Sequence, residues 1–162
     1  MRHALIAFIL AVAVAIAIAE SASAAPATVG GVDHVGLTVT KLEQTEAFFM
    51  EQLGFEVMRR DPEYPASFLN NGEIIITLWR ATDPDKAVAF DRKQNVGLHH
   101  LAFKVDSFAA LDALHDQLKD APGVRIEFAP EPLSGGPTKH MMIREPSGNR
   151  LEFIHRPAKA AN

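Results

Sequence analysis

The chain of 162 residues contains no cysteine. That excludes thiolate nucleophiles, thiolate metal sites and disulfides. Tryptophan and tyrosine occur once each, as Trp79 and Tyr64. Neither sign of charge dominates: the net charge is −4 at pH 7, a mildly acidic balance that argues against nucleic acid as a partner. Long apolar runs are absent except for Ala4–Ala19, which follows Arg2 and His3 and precedes the small-residue stretch Ala22-Ser23-Ala24. This layout predicts a secretory signal peptide over residues 1–24, cleaved before Ala25, and a secreted or periplasmic protein with no membrane attachment after cleavage. The rival is an uncleaved anchor, for which 16 apolar residues are slightly short. Residues 25–162 suffice for a single domain with its own core, which needs no disulfide staples.

What the sequence does contain is an internal repeat. Gly31-Val-Asp-His34-Val-Gly-Leu-Thr-Val39-Thr is echoed by Gly97-Leu-His-His100-Leu-Ala-Phe-Lys-Val105-Asp, an offset of 66 positions. Ile74-Ile-Ile-Thr77-Leu-Trp79 is echoed by Asn149-Arg-Leu-Glu152-Phe-Ile154. In each copy an amphipathic stretch follows the first strand pattern. Alternation predicts strands over 32–39, 55–60, 66–70 and 73–80, and again over 98–105, 124–129, 139–144 and 149–155. Helices are predicted over 42–53 and 107–119. Thr40-Lys-Leu-Glu43 reads as a capping box, Gly54 as a helix stop, and Asn70-Asn71-Gly72 and Pro146-Ser147-Gly148 as hairpin turns. The expected fold is therefore α+β: two βαβββ modules, about 31–80 and 97–156, forming a curved sheet around a cleft.

Strand parity sorts the side chains. His34 shares a face with Gly36 and Thr38, Thr77 with Ile75 and Trp79, and His100 with Ala102 and Lys104. Glu152 goes with Arg150, and His140 with Met142 and Arg144. The apolar alternates face the helices. Two imidazoles and a carboxylate at repeat-related positions predict a metal site of His34, His100 and Glu152. This set suits Fe(II) or Mn(II) with open coordination positions, with Zn or Ni as alternatives. His140 is the candidate acid/base catalyst, and Thr38, Thr77, Trp79 and Met142 are candidate substrate-pocket residues. Lys104 and Arg144 are candidates for an anionic substrate group, each weighed against a solvated strand end. His99, of opposite parity to His100, is expected under the helix or beside groups around the site; His115 is expected mid-helix at the edge of the Leu111, Leu114, Leu118 stripe, as a surface or boundary residue, and His155 in a structural role.

Three motifs, Asp33-His34-Val-Gly-Leu, Gly97-Leu-His-His100-Leu-Ala-Phe and Glu145-Pro-Ser-Gly-Asn-Arg-Leu-Glu152-Phe, make the chain resemble the vicinal oxygen chelate superfamily. That superfamily includes glyoxalase I, methylmalonyl-CoA epimerase, extradiol dioxygenases and the fosfomycin- and bleomycin-resistance proteins. The resemblance implies His34, His100 and Glu152 as ligands and puts Thr77 where glyoxalase I and the epimerase have Glu or Gln. Thr38 stands where glyoxalase I has an arginine for glutathione. The implied activity is that of a divalent-metal enzyme on a small oxygen-chelating substrate, with ring-cleaving dioxygenase chemistry favoured by the three-ligand set. The cleft Tyr usual in those dioxygenases has no evident counterpart. Alternatives are a metal-free binder of the bleomycin-resistance type and an epimerase- or glyoxalase-like isomerase or lyase. The resemblance also implies a homodimer, with paired modules from one chain or from exchanged halves of two.

Overall fold

The computed structural model describes residues 29–158. The expected signal peptide lies outside them. Contacts divide the chain after Gly31, and all regular structure among the described residues lies in the part that begins at Val32. None of the described helices is long and apolar enough to cross a membrane.

The repeat is real in three dimensions. The first module consists of β1 (His34–Val39), α1 (Leu42–Ala47) continued by a π-helical segment (Phe48–Gln52), β2 (Glu56–Asp61), β3 (Ala66–Asn70) and β4 (Ile75–Arg80). The second consists of β5 (Leu101–Lys104), α2 (Phe108–Leu118), β6 (Arg125–Pro132), β7 (Lys139–Arg144) and β8 (Arg150–His155). Strand order is β1-β4-β3-β2 in one sheet and β5-β8-β7-β6 in the other. The first strand of each module pairs in parallel with the last, and the other pairings are antiparallel. Hence β1 and β5, the strands nearest the candidate histidines, are both sheet edges.

One core joins the modules. Phe49 packs edge-on to Phe55 at 5.2 Å and to Phe103 of the second module at 6.5 Å, and Phe103 stacks on Phe153 at 5.8 Å. Leu37, Ile76, Leu111, Met141 and Leu151 complete the same buried cluster. The helix-bearing sides therefore pack together, and the polar alternates identified by parity lie on the opposite faces.

Several local expectations change. The predicted capping box does not form: Lys41 occupies the cap position of α1 with no side-chain cap bond. Its backbone N–H instead donates to Ser147 Oγ of the second module at 3.0 Å. The predicted helix 42–53 ends in π-helical geometry, whose wider turn lets the adjacent Phe48 and Phe49 both be buried. Gly54 ends it at φ +69°, the conformation a glycine stop requires. β5 starts three residues later than predicted, and β6 runs on to Pro132 through two register shifts against β7.

A clasp ties the modules. The Glu145 carboxylate, 1% exposed, accepts from Thr45 Oγ1 at 2.8 Å, Ser147 N at 2.8 Å, Asn149 N at 2.7 Å and Asn149 Nδ2 at 3.0 Å. Thr45 belongs to α1 of the first module, the other donors to the β7–β8 turn. Asn149 Nδ2 also reaches the Thr38 carbonyl at 3.1 Å.

Candidate active site

Glu152 is the centre of the ionic face. It sits mid-strand on β8, paired with Met142 on one side and Ala102 on the other, and its side chain is 9% exposed. Its Oε2 lies 3.1 Å from His100 Nε2. Its Oε1 accepts from His140 Nδ1 at 2.5 Å. The His140 ring rests 5.0 Å from Phe128, which faces Met142 across the β6–β7 ladder. Parity thus correctly placed His140, Met142, His100 and Glu152 on one face.

The spacing of Glu152 Oε2 and His100 Nε2 is compatible with a shared divalent ion. His99 Nδ1 lies 2.8 Å from His100 Nδ1 and 3.5 Å from a guanidinium nitrogen of Arg150, a donor only. The guanidinium can only donate, so His99 Nδ1 presents its lone pair there, and burial, then the charges of Arg150, His100 and Arg92, push the His99 imidazole below its usual range. His99 Nδ1 is then the acceptor and His100 Nδ1 the donor. His100 Nε2 meets Glu152 Oε2 either with a proton between them or as two lone pairs sharing a cation. Ligands about 2.1 Å from an ion and at right angles would be about 3.0 Å apart, close to the observed spacing. A ligand histidine whose other nitrogen is fixed by a hydrogen bond is the usual arrangement at metal sites. His99 therefore lies against His100 and Arg150.

His34 is not with them. Its Nδ1 pairs with Asp33 Oδ1 at 2.7 Å, its side chain is 54% exposed, and no cluster of three His or acidic side chains suited to a metal occurs among the described residues of the single chain. Parity gave it the right face of its own sheet, but that sheet and the one carrying Glu152 are not joined along β1 and β5.

The same face of the first sheet is aromatic. Trp79 Nε1 donates to Thr77 Oγ1 at 2.8 Å, and that hydroxyl is also the nearest neighbour of Gly36, whose absent Cβ would come within 3.2 Å of it. Trp79 lies 5.2 Å from Tyr64 and 5.4 Å from Phe68, and the Arg59 guanidinium sits 4.1 Å over the Phe68 ring. Thr77 and Trp79 were predicted. Phe68 was legible, because it pairs with Thr77 across the β3–β4 hairpin and so shares its face. Tyr64, in a turn, had no periodic signal.

The rest of the ionic face was missed. Glu127 of β6 accepts from Arg144 Nε at 2.6 Å and from Arg150 Nε at 2.7 Å, with Arg125 at 3.8 Å. Burial alone would raise the Glu127 carboxyl, but the hydrogen bonds and charges of the two arginines outweigh it and hold it below the ordinary range. Arg144, expected as a solvated strand end or anion ligand, is thus in an ion triad, whereas Lys104 is exposed. His155 Nδ1 bonds the Val105 carbonyl at 2.8 Å, the expected structural role, and His115 is partly buried on α2 beside Asp116.

Both modules fall within a known protein family. Residues 31–153 match the model of the glyoxalase/bleomycin resistance protein/dioxygenase superfamily. A 2-epi-5-epi-valiolone epimerase of an Actinomyces species is 31% identical, the match covering 80% of this chain and 81% of that protein. A probable lactoylglutathione lyase of Vibrio parahaemolyticus is 26% identical over 82% of this chain and 95% of its own length. The crystal structure of a glyoxalase/bleomycin resistance protein/dioxygenase domain from a Frankia species superposes with a TM-score of 0.67 at 26% identity, covering 82% of this chain and 96% of that one. With the family model spanning both modules, the chain belongs to the glyoxalase/bleomycin resistance protein/dioxygenase superfamily.

Proposed function

We propose that this chain is a divalent-metal-dependent enzyme that moves a proton on a small, oxygen-chelating substrate, as an epimerase, isomerase or lyase does. The observation that carries the reading is the pair of imidazoles on the two oxygens of Glu152, one suited to ligation and one to proton transfer. A divalent ion held by His100 and Glu152 would polarise adjacent substrate oxygens and lower the cost of removing a nearby C–H proton. The chain's own groups do the rest. Donation from His140 Nδ1 to Glu152 leaves Nε2 as the basic nitrogen, free to take or return that proton. Phe128 and Met142 flank the imidazole, and Trp79 with Tyr64 and Phe68 offers an aromatic surface for a ring. The likeness to a named epimerase favours this reading.

A second copy of the chain completes the ligand set in this proposal. β1 and β5 are unpaired sheet edges, and an edge offers a row of free backbone donors and acceptors to another strand. Pairing β1 of one protomer with β5 of its partner would bring His34 towards the partner's ionic face. Iron or manganese remains the favoured ion for two histidines and a carboxylate.

The test is complementation of metal binding. His34→Ala and His100→Ala proteins, each purified as a homodimer, should each bind Mn(II) poorly. After mixing under conditions that exchange subunits, about a quarter of wild-type sites should return, because half the dimers are mixed and each holds one intact site. No recovery, with each variant retaining its fold, defeats the shared site; full Mn(II) binding by His100→Ala defeats the ligand assignment. Ring cleavage, favoured in the resemblance by the two-histidine, one-carboxylate set, is the second reading. Oxygen consumption by the Fe(II)-loaded protein with catechols would support it over proton transfer, and incorporation of solvent deuterium into a 2-hydroxyketone would do the reverse.

A further inference from the structure

Arg144 and Arg150 of the ionic face also line a cleft of about 1000 Å³, which Glu152 itself does not line. Of the five charged residues lining it, four are cationic, Lys41, Arg125, Arg144 and Arg150, and one is Glu145. In a protein of net charge −4 that concentration is not a composition effect. The Glu145 charge is taken up by Thr45, Ser147 and Asn149 and by no guanidinium. Among the described residues, the carboxylate bonded to Arg144 and Arg150 is Glu127, which they share.

The charge does not balance. Arg150 and Arg144 have side chains only 7% and 13% exposed, and together with Glu127 they leave one buried positive charge without an anion. Arg125 at the rim, 68% exposed, adds another. A largely desolvated positive charge without an anion is costly, and an oxyanion in the cleft would offset that cost. Each buried guanidinium spends its Nε on Glu127. The terminal nitrogens of Arg150 have only the 3.5 Å approach to His99, and those of Arg144 have one bond, from Nη1 to the Gly148 carbonyl. Those remaining N–H groups form the planar fork that grips carboxylates and phosphates.

We propose that Arg150, Arg144 and Arg125 form an oxyanion subsite that takes the carboxylate or phosphate end of the substrate. Placing that group on the substrate rests on the proposed function; the capacity to bind an oxyanion does not. Arg150 and Glu152 are two residues apart on one strand face, a separation of about 7 Å. The substrate class is accordingly an acid or phosphate ester whose charged end lies about that far from its chelating oxygens.

The experiment is calorimetric titration of the EDTA-treated, metal-free protein at fixed ionic strength, with inorganic phosphate in one arm and malonate in the other. Saturable one-to-one binding is expected, weakened about tenfold or more by Arg150→Gln, the scale of one charge-assisted hydrogen bond. That variant leaves Glu127 paired with Arg144, a neutral couple. Arg125→Gln, at an exposed position that tolerates change, should weaken binding less, and it keeps the test decisive if Arg150→Gln does not fold. Tighter phosphate binding assigns a phosphate ester and tighter malonate binding a carboxylate; either supports the subsite. Absence of saturable heat in both arms overturns it, as does equal affinity in the wild type and the variants. Because no metal is present, failure here leaves the ligand assignment standing, and failure of the Mn(II) complementation leaves the subsite standing.

Discussion

Replacing Glu145 by Gln should cost about 2–4 kcal/mol of folding stability, although it removes no volume and opens no cavity. The magnitude follows from the donors around it. Oε1 accepts from Asn149 N and Asn149 Nδ2, and Oε2 accepts from Thr45 Oγ1 and Ser147 N. An amide presents one oxygen and one NH2 in their place. The less costly orientation puts NH2 at the Oε2 position, where the Thr45 hydroxyl can rotate to accept. The Ser147 N–H cannot rotate, so it is left facing a donor. One lost bond to a charged acceptor is worth about 1.5–3 kcal/mol, and a buried donor left unmatched about 1–3 kcal/mol, with partial overlap between the two. Urea unfolding reads the loss as a fall in midpoint at constant slope. Thr45→Ala, alone and combined with the Glu145 change, closes a double-mutant cycle. A coupling energy of about 1 kcal/mol or more is expected, because the two residues tie one module to the other. A loss below about 0.5 kcal/mol for the Gln variant, or additive behaviour in the cycle, would refute the clasp.

Two further outcomes can be checked on the same protein. The Glu127 carboxyl is held low in the folded state, so between its folded and unfolded pKa values the unfolded chain binds more protons, and stability there rises with pH. The triad contributes fully above about pH 4.5, the ordinary glutamate range, and its contribution is lost as pH falls through the depressed value. Glu127→Gln should flatten this acid limb in urea midpoints taken between pH 6 and pH 3; an unchanged slope would contradict the pairing. Gly36→Ala would set a methyl 3.2 Å from Thr77 Oγ1 and 3.5 Å from Trp79 Nε1, an overpacking of about 1–3 kcal/mol. Since Trp79 is the sole tryptophan, its emission should shift as the indole is displaced, and an unaltered spectrum would show that the added methyl does not move it.

How far the sequence could be read depended on the range of the physics. Alternation along a strand is local, so the faces of His34, His140 and Glu152 followed from it. Asn70-Asn71-Gly72 carried its turn within itself: Asn70 Oδ1 accepts from Gly72 N at 2.7 Å, and Asn71 Oδ1 accepts from Ile74 N at 3.0 Å. The capping box failed because Lys41, not Thr40, takes the cap position, and its N–H is held by Ser147, more than a hundred residues away. Parity placed Arg150 beside Glu152 but could not reveal Glu127, because the β6–β7 register shifts twice before it can be counted. Nor could parity reveal that His34 stands apart. It assigns a side chain to a face of its own sheet and carries no information on how two sheets are set against each other.

The contrast between the two repeat copies has a consequence for how such a protein diversifies. One copy presents rings, Trp79, Tyr64 and Phe68, and the other presents ions, His100, His140, Glu152 and the arginines. Duplication has left two halves of different character on one frame. Substitutions at Tyr64 or Phe68 can reshape the aromatic surface without touching the ionic pairs around Glu152. Changes around Glu127 can alter the charge of the second half while the rings stay as they are.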